Sequence, residues 1–217
     1  MKKKIALLMA TVMLFGVTVG ATIAYLTSTT KVVNNTFKVG DIKITLDEEK
    51  VDEYGEDDVS KVERVYGNEY KLIPGHTYKK DPTVHVQPKS ENCYVFVKVV
   101  NGITGIEVAA EDGDTIAEQM TAKGWKALGT EANVYYYIGT GDAANQNGLV
   151  VNTLNNTTLD LVVFENFTIA TDANVDNYAT AGNAGAVVTI VAYAVQSDNF
   201  DTAAEAWAAA PSNWIEG

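Results

Sequence analysis

Cysteine, histidine and proline are scarce in this chain: its 217 residues hold one, two and four of them. The single Cys93 excludes an intrachain disulfide, so an apolar core must hold the fold, and a chain of this length can build one within a single domain. Set within "CYVFVKVV", the thiol reads as a small apolar side chain. His76 and His85 cannot form the zinc-hydrolase motif, which needs two histidines one helical turn apart and an adjacent glutamate. His76 follows a Pro-Gly turn and His85 lies in an expected strand, so neither is assigned as a metal ligand. The pattern G-x-S-x-G is missing, and Gly139 to Gly148 lacks the lysine of a phosphate loop. No catalytic, cofactor-binding or metal-ligating residue is assigned, and no cofactor is expected.

Positive charge is equally thin. Lys and Arg number 16 against 28 Asp and Glu, a formal charge of −12. Nucleic acid is excluded as a partner, because binding it needs clustered basic side chains to neutralise phosphates. Such an excess of negative charge keeps a protein soluble and attracts divalent cations weakly.

Among the features present, the first is Met1-Lys2-Lys3-Lys4, a positive block followed by an uncharged apolar run from Ile5. Charge, apolar core and then small residues is the order of a secretory signal peptide. Ile5 to Leu26 is also long enough to cross a bilayer, so length leaves a membrane anchor open. Gly16, Gly20, Ala21, Thr22 and Ala24 favour removal, with the cut expected between Ala24 and Tyr25. Residues 1–24 are then a signal peptide, and the membrane is met only through its uncleaved form. Removing its three lysines leaves 13 basic residues against 28 acidic ones, a formal charge of −15.

From Phe37 onward, short runs rich in Val, Ile, Thr and Tyr alternate with turn residues, the signature of an all-β domain over residues 37–217. "DIKITL" places Ile42, Ile44 and Leu46 on one face, and "TVHVQ" does the same with Val84 and Val86. Cys93 to Val100 and Gly185 to Val195 are apolar on both faces, as central strands of a sandwich are. Further strands are expected at Asn133 to Gly139 and Thr157 to Phe164. Two short helices decorate the sheets. One is in "DTIAEQMTAKGW", with Asp114 as cap and Gly124 as stop, and the other in "DTAAEAWAAAP", capped by Asp201 or Thr202 and ended by Pro211. Trp125, Trp207 and Trp214 lie in or beside these pieces and read as packing residues. The acidic stretch Asp47 to Lys61 reads as an exposed, mobile loop.

"DANVD" opens like a calcium loop at Asp172, Asn174 and Asp176. Asn177 stands where that loop needs glycine and Asn183 where it needs glutamate, so a solvated Asx-rich loop is the better reading.

The lysine-rich signal segment, "ATIAYLTSTTKVVNNTF" and then "KVGDIKITL" resemble the start of the TasA/camelysin family, Gram-positive secreted proteins processed by a SipW-type signal peptidase. The residues that carry the likeness are Tyr25, Asn35-Thr36-Phe37 and Gly40. "LIPGHTYKKDPTVHVQPKSENCYVFVKV" and "VTIVAYAVQSDNFDTAAEAWAAA" are similar to later blocks of the family. The resemblance implies a jelly-roll-like antiparallel β-sandwich, secretion to the cell surface or matrix, and a subunit of biofilm-matrix fibres partnered by itself. It equally admits a camelysin-like surface metallopeptidase, which no zinc motif here supports. A monomeric binding module using Tyr135, Tyr136 or Tyr137 is the third reading. Residues 25–36 form an extended segment with apolar Tyr25, Leu26, Val32 and Val33 and one charge, Lys31. Such an end is either a tail or a donor strand for a neighbour's sheet edge.

Overall fold

A computed structural model of the chain describes residues 41–57, 63–108, 114–178 and 187–210. All of them fall within one unit, Gly40–Gly217. The cleavage site at Ala24 and Tyr25, the assembly residues Tyr25, Leu26, Val32 and Val33, and Asn183, Pro211 and Trp214 lie outside the described residues.

Among the described residues the protein is mostly β, with three antiparallel sheets and two short α-helices. The first sheet runs in the order β2 (Arg64–Val65), β1 (Ile44–Glu49), β4 (Thr83–Val86), β9 (Leu159–Val162). The second comprises β3 (Thr77–Lys79), β10 (Asn166–Ile169) and β6 (Glu107–Val108). The third is ordered β11 (Val188–Gln196), β5 (Cys93–Asn101), β8 (Val134–Tyr137), β7 (Trp125–Ala127). All three sheets feed one core: Val84, Val86 and Leu161 from the first, Tyr78, Phe167 and Ile169 from the second, and Val95, Val97 and Val99 from the third. Shared burial of facing sheets is how a β-sandwich is stabilised.

The alternation in β5 serves two cores. Cys93, Val95, Val97 and Val99 enter the main one, while Tyr94 and Phe96 point to the other face of the sheet. There they meet Val134, Tyr136 and Tyr193 under the helix α2 (Ala203–Ala208), which adds Ala203, Ala206 and Trp207. Trp207 lies 5.0 Å from Phe96 and 5.5 Å from Tyr193 between ring centroids.

Both helices form where the sequence predicts them, each with a capping box. In α1 (Ile116–Ala122) the cap is Thr115 rather than Asp114, because the Thr115 hydroxyl meets the Glu118 N–H while the Glu118 carboxylate returns to the Thr115 N–H. Thr202 and Glu205 do the same for α2. Gly124 ends α1 at φ +88°, and a Cβ there would strike the backbone of Gly139.

Two sequence expectations are corrected. Gly185 to Val195 reads as a central strand, yet β11 is an edge strand whose full nine-residue register is with β5 alone among the described residues. The acidic stretch is no mobile loop over Asp47 to Asp57. Its first three residues end β1, Val51 bridges Asp57, and four of its carboxylates are ion-paired: Asp47 with Arg64 and His85, Glu48 with Lys80, and Glu49 and Asp57 both with Lys79.

Candidate functional site

β1 and β11 belong to different sheets and approach each other. In β1 only Glu48 and Glu49 pair with β2, so Ile44 to Asp47 have β4 as their one strand partner among the described residues. Between the two strands opens a cleft of about 400 Å³ lined by Leu46, Glu48, Asn68, Lys80, Val188 and Ile190, among others. It adjoins a groove of about 800 Å³ bordered by Tyr70, Leu72, Phe167 and Tyr178. Tyr66 stands beside the cleft 95% exposed, and Val187 is half exposed at its rim. An edge strand with no second strand partner among the described residues, beside a cleft lined by both apolar and polar side chains, is a geometry that accepts an added strand.

The cleft contains a buried ion pair. Glu48 is 4% exposed and Lys80 7%, and Lys80 Nζ donates to Glu48 Oε2. Asn68 Nδ2 donates to the other carboxylate oxygen at 2.9 Å and to the Glu49 carbonyl at 2.8 Å, while its Oδ1 accepts from the Val51 N–H at 3.1 Å. Lys80 Nζ also lies 5.8 Å from the centre of the Tyr70 ring. Burial first, and then the charge of Glu48, push the Tyr70 hydroxyl well above its ordinary range, so that ring stays neutral. Sequence reasoning missed this pair because Glu48 lay in the block Asp47 to Lys61, read as solvated. The signal was present: period-two counting places Glu48 on the face of Ile44 and Leu46, and Lys80 on that of Val84 and Val86.

A second polar cluster lies across β1, β4 and β9. His85 Nδ1 meets Asp160 Oδ1 at 2.6 Å and Nε2 meets Asp47 Oδ1 at 2.9 Å. Arg64 donates to Asp47 from Nε at 2.6 Å and to Asp81 from Nη1 at 2.7 Å. Burial works against the charged imidazole, but its hydrogen bonds to Asp160 and Asp47 prevail and raise the His85 pKa. Burial likewise opposes ionised Asp47, and Arg64 and His85 reverse it, so that carboxyl titrates low.

The other sequence candidates are dispersed. His76 is engaged through Nε2 with the Tyr54 carbonyl at 2.8 Å. Among the described residues no three His, Cys, Asp or Glu side chains are placed to hold a metal ion. Asn174 caps the 3₁₀ turn Val175–Asn177 by accepting from the Asp176 N–H. Tyr135 and Tyr137 are half-buried against the main core and Tyr136 is buried in the second cluster, so none of the three is a free surface tyrosine. No helix among the described residues is long and apolar enough to cross a membrane. No protein-family model, curated protein or solved structure matches the chain.

Proposed function

We propose that this protein is a secreted structural subunit of extracellular biofilm-matrix or surface fibres, and that its subunits join head to tail by strand exchange. The observation that carries the reading is the edge of β11 beside Ile44 to Asp47, which has no second strand partner among the described residues, and the cleft between the two strands. In this reading a SipW-type peptidase cuts between Ala24 and Tyr25, and the freed segment 25–36 is the donor. Tyr25 to Val33 is as long as β11 and supplies apolar Tyr25, Leu26, Val32 and Val33 to the neighbour's cleft. Such a contact is heterologous and need not close, so it propagates as a filament. The fold that goes with it is a jelly-roll-like sandwich, and the resemblance to the TasA/camelysin family supports the same assignment.

The test is electron microscopy of the mature protein incubated at high concentration. Filaments are expected from the chain beginning at Tyr25, and a folded, soluble monomer from one lacking Tyr25 to Val33. Filaments that survive the deletion would overturn strand donation. Casein hydrolysis abolished by a chelator would instead favour a metallopeptidase.

A further inference from the structure

We propose that Lys80 and Asn68 form an intramolecular isopeptide bond, with Glu48 as its proton carrier. One carboxylate holds both reaction partners: the Lys80 amine on Oε2 and the Asn68 carboxamide nitrogen on Oε1. The ion pair is buried, so two charges sit where water does not stabilise them, and moving one proton from Nζ to Glu48 removes both. That transfer leaves a neutral amine, the nucleophilic form. Confinement to one carboxylate replaces a bimolecular encounter with a positioned one.

The steps balance. The Nζ lone pair attacks Cγ of Asn68, and the Val51 N–H, already donating to Oδ1 at 3.1 Å, stabilises the developing oxyanion. The new bond's nitrogen gives up a second proton, which Glu48 relays to Nδ2. The Cγ–Nδ2 bond then breaks and ammonia departs through the adjoining cleft, which both Asn68 and Lys80 line. The products are a secondary amide, free ammonia and a protonated Glu48, with no oxidant or cofactor consumed. A buried ion pair has become neutral, hydrogen-bonded groups, which is the direction a low-dielectric site favours. Lys79, one residue earlier, is not equivalent, since its amine is shared by Glu49 and Asp57 at the surface.

The experiment is the intact mass of the folded, purified chain after denaturation, followed by tryptic mapping. The expected mass is lower than the sequence requires by one ammonia, with a branched peptide joining Asn68 to Lys80 and no cleavage after Lys80. Lys80→Arg, Asn68→Ala and Glu48→Gln are each expected to restore the full mass. Cyclisation of Asn68 to a succinimide loses the same ammonia, but it survives Lys80→Arg and gives no branched peptide; that pattern would overturn the assignment. So would wild-type protein that keeps its full mass after prolonged incubation at neutral pH. Because the deciding measurement is made on the wild-type chain, misfolding of a variant does not affect it.

Discussion

His85 lies between Asp47 and Asp160, with Arg64 and Asp81 linked to it through Asp47, so its charge is part of how three strands are held. Its pKa is raised in the folded protein, so the stability it contributes is complete below the unfolded value of about 6.5 and is lost as pH rises through the folded value. The lower limit is set by Asp47, whose depressed pKa keeps it charged below the ordinary carboxylate value of about 3.9. Urea midpoints of wild type and His85→Gln, compared across pH, are expected to differ most near and below about pH 6.5 and to converge in alkali. A gap that stays constant with pH would show that the imidazole acts through packing alone. Cys93 offers no such handle: full burial pushes its thiol up to about 11, which keeps it in the unreactive protonated form.

At the scale of elements, the second core rests on a six-residue helix. Isolated helices that short do not persist in water, so α2 is held by its capping box and by Trp207 against Phe96 and Tyr193. Trp207→Ala is expected to cost about 3–5 kcal/mol, read as a lower urea midpoint together with loss of near-ultraviolet signal. Thr202→Ala, which removes only the cap, is expected to cost about 1 kcal/mol. Much of this level was legible in sequence: both helices, the inward faces of β1 and β4, and β5 as a doubly covered strand follow from periodicity and capping. β2, β3, β6 and β7 are two or three residues long, too short for a period to register. The edge position of β11 was hidden for another reason. Apolar faces report what covers a strand from above and below, whereas centre or edge is decided by main-chain pairing, to which side chains give no guide. Asn68 was opaque too, because its partners Glu48, Glu49 and Val51 lie on a different stretch of chain.

For the molecule as a whole, the excess of acidic residues means that any two copies repel. The proposed assembly by strand donation would have to overcome that repulsion, and screening shortens its reach from about 10 Å at 0.1 M salt to about 3 Å at 1 M. Filament growth followed by light scattering is therefore expected to speed up with added salt, and to speed up again as pH falls toward the isoelectric point near 4.5. Growth that slows with salt would point to contacts made by complementary charge instead of by the apolar side chains of the donated segment.

The pairing of β5 with β11 has a further consequence, in time. β5 is complete at Asn101, yet the strand that covers its edge begins at Val188 and the helix that covers its outer face at Ala203. Synthesis at about 5–20 residues per second leaves that interval open for roughly 4–17 s. Throughout it, a strand whose residues from Cys93 to Val97 are all buried in the folded protein has neither its last neighbour nor its roof, so the early half does not complete its core ahead of the late half. Pairings this distant along the chain also close slowly, in milliseconds to seconds. The fold is therefore completed only once β11 and α2 have been made, late in synthesis.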